Sequence, residues 1–122
     1  MKLRTKSNSI RLRLTQSEVG QMSAKKIVKE TIFFPNSEAL TYELKVVNDD
    51  RDITANFYKS TISIGIPESV IDRWSGSDEV SILGSVKIID QEELSILVEK
   101  DFQCLSPRDE DETDMFPNPD DS

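Results

Sequence analysis

The sequence predicts a mainly β, α+β domain, barrel-like or sandwich in form, with two pseudo-symmetric β-α-β-β halves. Short runs of alternating apolar and polar residues, bounded by turn residues, recur along the chain and indicate half-buried strands. Helical spacing of apolar residues is confined to two short segments. The second half also repeats the first in outline, since residues 9–15 align with 61–67 and 40–44 with 94–98. A repeat present only twice predicts two halves that close one core.

The first half contains one helix among its strands. Thr15-Gln-Ser-Glu18 matches a capping box, in which the threonine hydroxyl and the glutamate satisfy free amides at a helix start. The helix is expected to run to about Lys25, with Val19 and Met22 facing inward. The predicted strands lie at residues 2–6, 10–14, 27–34 and 40–47.

The second half repeats this plan with a helix after Pro67, a residue that suits the first helical turn. Val70, Ile71 and Trp74 form its apolar stripe, and Gly76 is a plausible stop. The predicted strands lie at residues 53–58, 61–66, 80–83, about 86–89 and 94–99.

One globular domain is expected over residues 1–105, with halves of about 1–50 and 51–105. Residues 106–122 form an acidic tail that is predicted to be mostly irregular. Met115 and Phe116 interrupt its polar composition, so we expect them to anchor the tail on the body.

Composition indicates a cytoplasmic protein. No apolar run is long enough to span a membrane, and the N-terminus lacks the apolar core of a secretion signal. The single cysteine fits a reducing compartment. The net charge of −8 disfavours a constitutive nucleic-acid binder, because phosphates require a positive contact surface.

Four basic residues are expected to share one strand face and to form an anion or nucleic-acid site: Lys2, Arg4, Arg11 and Arg13. The alternative is an outer face that is solvated or salt-bridged. A further hypothesis is that the acidic tail folds over this face.

Catalysis has few candidate residues, since histidine, the usual general base at neutral pH, is absent. The sequence therefore favours a protein that is not an enzyme and predicts no cofactor. A weak thiol or metal site is conceivable from Cys104, Asp109, Asp111 and Asp114. The alternative is a small buried cysteine beside solvated acids.

Three strings resemble those of a family of short, uncharacterised bacterial proteins: residues 8–19, 97–105 and 116–119. This resemblance implies no activity. More weakly, residues 63–74 and 76–82 resemble the swapped-hairpin unit of AbrB and antitoxin-type transcription regulators. That likeness implies a barrel, which a duplicated chain would build alone, and a DNA-binding face.

The function that the sequence favours is a non-enzymatic binding or interaction module, either monomer or homodimer. Its expected partner is an unidentified protein or a small anionic ligand. The alternatives are an AbrB-like regulator that uses the basic strand face, and a metal site or enzyme that uses Cys104 and the carboxylates.

Overall fold

The computed structural model describes residues 1–102 and 113–117. Two α-helices and one short 3₁₀ helix (Ile89–Gln91) lie among eight strands in these residues. The strands are β1 (Lys2–Thr5), β2 (Ser9–Leu14), β3 (Ile27–Phe33), β4 (Ala39–Val47), β5 (Thr54–Tyr58), β6 (Thr61–Pro67), β7 (Ser81–Lys87) and β8 (Glu93–Lys100). The helices are α1 (Gln16–Lys25) and α2 (Glu68–Ser75). The mainly β, α+β class is confirmed.

The strands form two four-stranded sheets, ordered β1-β2-β8-β7 and β3-β4-β6-β5. Each half of the chain supplies one antiparallel hairpin to each sheet, and the parallel pairs β2/β8 and β4/β6 join the halves. The order within each half is therefore β-β-α-β-β, whereas the sequence repeat predicted β-α-β-β.

The barrel implied by the likeness to AbrB-type regulators is wrong for the described residues. These strands form no closed barrel, and β1, β7, β3 and β5 stay as sheet edges. The two sheets and both helices instead bury one common apolar core.

The prediction of two strands across residues 80–89 is also wrong, because β7 runs unbroken through Gly84. Gly84, which lies between the two predicted strands, is part of one paired strand and lies opposite Ile96. A Cβ atom there would lie 2.2 Å from Cδ1 of Ile53. Gly84 thus gives space to a neighbouring side chain.

The helices cover the end of the domain at which β2, β4, β6 and β8 finish. The Glu18 carboxylate accepts the Thr15 N–H at 3.0 Å, as the capping box predicts. Pro67 lies at the end of β6, one residue before α2 begins. Ile71 and Trp74 of α2 are fully buried.

Candidate functional site

The four basic candidates lie together on the outer face of the β1–β2 hairpin. The register pairs Lys2 with Arg13 and Arg4 with Arg11, so all four side chains share one side. The described acidic residues compensate part of this charge. Arg13 lies 2.5 Å and Arg11 3.8 Å from Oε1 of Glu99. One carboxylate thus serves both arginines, which weakens the case for a nucleic-acid surface without neutralising the face.

The described tail segment, residues 113–117, docks at the start of α1. The Asp114 carbonyl accepts the Gln16 N–H at 2.9 Å, and its carboxylate accepts the Ser17 N–H at 3.2 Å. The Gln16 side-chain amide donates to the Met115 carbonyl at 2.9 Å. Met115 itself is only 3% exposed. The tail thus satisfies amides that a helix start leaves free.

Phe116 attaches the same segment to the end of β8. Its N–H donates to the Asp101 carbonyl at 2.8 Å, and its ring centroid lies 5.6 Å from that of Phe102. Asp101 is buried and pairs with Lys2 at 3.1 Å.

Of the thiol and metal candidates, Cys104, Asp109 and Asp111 lie outside the described residues. Hydrogen bonds from Ser17 lower the pKa of Asp114, whose carboxylate serves the helix start. No metal-ligand cluster of three or more carboxylates or thiols occurs within residues 1–102 and 113–117.

A lysine that the sequence analysis missed occupies a core position. In β8, Ile96 and Val98 face the interior, and Lys100 continues this alternation with only 6% of its surface exposed. A lysine that follows an inward-facing apolar series is the signal that could have revealed it, because long charged side chains are rarely this buried.

The Lys100 ammonium is held by a carbonyl and two aromatic rings. Its Nζ donates to the Ser77 carbonyl at 2.8 Å and lies 5.7 Å from the Trp74 ring centroid and 5.5 Å from that of Phe116. Both ring distances suit cation–π attraction. No carboxylate of the described residues forms an ion pair with it. Within residues 1–102 and 113–117, Lys100 is thus a buried cation without an ion-pair partner.

Burial lowers the pKa of Lys100, and the charges of Asp78 and Glu79 oppose this by raising it. Both acidic residues are exposed, and they act at a distance. They compensate the buried charge only in part.

The space in front of Lys100 is a cavity of about 520 Å³. Its lining combines rings and aliphatic groups with two serines, one acid and the lysine. The lining residues are Ser75, Ser77, Asp78, Val80, Lys100, Phe102, Phe116 and Pro117. This volume falls within the range of small-molecule pockets. The arrangement can hold an anionic group against the ammonium and an apolar body against the rings.

Three segments that are distant in sequence converge at this end of the domain. They are the start of α1, the end of β8 and the docked tail segment, and each overlaps one of the three strings singled out in the sequence. The docked tail segment supplies Phe116 and Pro117 to the lining of the pocket.

No helix in the described residues has the length and apolar character needed to cross a membrane. The model of one protein family, described as "Family of unknown function (DUF7009)", matches residues 1–120. No curated protein and no solved structure matches the chain. The family match agrees with the resemblance to uncharacterised proteins. The bacterial source, the signature strings and the likeness to AbrB-type regulators stay predictions.

Proposed function

The chain belongs to this family of unknown function, and from its own geometry we propose that it is a binding module. The ligand that we propose is a small, apolar carboxylate. The observation that carries the proposal is the buried Lys100 ammonium, which faces a cavity without an ion-pair partner among the described residues. A buried charge is costly unless it is paired, so a ligand carboxylate that supplies the missing charge is stabilised there.

The number of donors favours a monocarboxylate over a phosphate. Lys100 has three N–H donors, and one of them is used by the Ser77 carbonyl. Two donors match the oxygens of one carboxylate, whereas a dianionic phosphate is usually met by several charged or backbone donors. The rings of Phe102 and Phe116 would pack against an apolar or aromatic ligand body.

The experiment compares 3-phenylpropanoate with its neutral amide. Binding is followed through the fluorescence of Trp74, the single tryptophan of the chain, and by calorimetry. We expect the acid to bind at least about tenfold more tightly than the amide, since a charge-assisted contact contributes about 1.5–3 kcal/mol. Lys100→Met should abolish this preference.

Lys59 provides a matched control, because its Nζ also lies over a ring, 5.4 Å from the Tyr58 centroid, but it is exposed. Lys59→Met should leave the preference unchanged. Asp78→Asn should tighten binding of the acid, because it removes a negative charge from the cavity lining, where it repels the ligand carboxylate. Equal affinity for acid and amide, or a preference that survives Lys100→Met, would contradict the proposal.

We also infer that the chain arose by internal duplication. Support comes from the element order, in which hairpin, helix and hairpin occur twice and each half contributes to both sheets. A cytoplasmic location is part of the same proposal and rests on the single cysteine.

A further inference from the structure

The end of the domain opposite the helices is open and apolar. Because β2/β8 and β4/β6 run parallel, the four hairpin turns gather at this end, which we call the hairpin end. Here the sheets separate around a cleft of about 410 Å³. The residues that line it come from both sheets: Ile10, Leu40, Ala55, Asn56, Phe57, Ile62 and Leu94. The core is thus not closed at this end by the described residues.

Large apolar side chains near the hairpin turns are exposed. Phe33 is 83% and Phe57 is 72% exposed. The set comprises Ile32, Phe33, Phe34, Phe57, Tyr58, Ile88 and Ile89, which lie on or beside three of the four turns. At about 200 Å² for a whole aromatic side chain, the exposed parts of the four aromatic residues present roughly 550 Å².

The three isoleucines raise this area to roughly 800 Å², which is the contribution of one partner to a stable interface of standard size. Monomeric proteins rarely leave so much apolar surface exposed in one region. A dimer that buries most of this area would approach the size of a stable interface.

The hairpin end is also complementary to itself. Phe57 forms a wall of the cleft and projects from its rim, so each copy offers both a cleft and an aromatic side chain to fill one. The turns carry charges of both signs, with Lys6 and Lys59 on two of them and Glu38 and Asp90 on the others. A two-fold interface can pair such opposite charges.

We propose that the hairpin end is the interface between two copies of this chain, related by a two-fold axis, with Phe57 of each copy seated in the cleft of the other. The Lys100 pocket lies at the opposite end of the domain, so dimerisation leaves both pockets accessible.

Sedimentation velocity on the full chain across a concentration series tests this proposal. The wild type should sediment as a dimer that dissociates on dilution. Phe57→Ser should weaken the dimer about 100-fold, since each of two copies loses an aromatic contact worth roughly tenfold in affinity. Ile89→Ser, on a turn of the other sheet, should weaken it as well.

Leu83 gives the matched control, because it is 78% exposed. It lies in the middle of β7, on the outer face of the β1-β2-β8-β7 sheet and away from the hairpin end. Leu83→Ser should leave the dimer intact, and circular dichroism should show all variants folded. A wild type that stays monomeric at high concentration would overturn the proposal. The proposal would also fail if Leu83→Ser weakened the dimer as much as Phe57→Ser does. Binding of a monomer to phosphatidylcholine vesicles through the hairpin end would contradict it as well.

Discussion

Substitution of the Met115 side chain by alanine tests whether the docked tail is part of the cooperative fold. The side chain is 3% exposed, and the segment is fixed by backbone hydrogen bonds to α1 and to Asp101. Met→Ala substitutions at buried sites cost about 2–5 kcal/mol of unfolding free energy. We expect Met115→Ala to cost about 2–3 kcal/mol, near the lower limit, because a segment at the surface can relax around the cavity more than a central one.

Urea unfolding followed by circular dichroism and by Trp74 fluorescence gives this free energy. Met22→Ala is the matched comparison, since Met22 is fully buried in α1. The two probes should report one transition for both variants, with Met22→Ala costing as much or more. Suppose that Met115→Ala lowers the unfolding free energy by less than about 0.5 kcal/mol while Met22→Ala lowers it by about 2 kcal/mol or more. That result would show that the tail is not part of the cooperative fold.

Two further predictions concern backbone space and pH. Gly65→Ala should cost about 1–3 kcal/mol in urea unfolding, because its Cβ would lie 2.4 and 2.7 Å from stiff β-branched side chains. Gly20→Ala should instead stabilise by up to about 1 kcal/mol, since nothing lies within 4 Å in an exposed helical turn; destabilisation there would contradict this. The folded-state pKa of Lys100 lies below 10.5, so the unfolded chain binds more protons and stability should rise as pH increases from that pKa towards 10.5. Lys100→Met should remove this rise, and an unchanged pH profile would oppose the burial argument.

Local patterns predicted the elements whose signals lie within a few residues. The helix from Thr15 to about Lys25 and the turn between the strands at residues 27–34 and 40–47 follow from capping and turn chemistry. Gly84 misled the prediction, because a glycine that ends a strand and one that makes space for Ile53 look alike in sequence.

The candidate site was only partly accessible to sequence reasoning. Period-two alternation is enough to place Arg11 and Arg13 on one side of a strand, and the pairing with β1 brings Lys2 and Arg4 beside them. The partner of the arginines was not foreseeable, since Glu99 comes from the parallel neighbour β8, far along the chain.

The sequence by itself determined which face of each strand is apolar, where the helices start and that the tail carries two apolar anchors. These properties depend on side-chain spacing and on bonds between near neighbours. The tertiary structure alone decided that β2 pairs with β8 and β4 with β6, and that Lys100 is buried against Trp74 and Phe116. It also decided that none of the described residues closes the cleft at the hairpin end. Those outcomes depend on contacts between distant segments. The alternation of apolar and polar residues within β8 does not indicate which segments will pack against its last residue, Lys100.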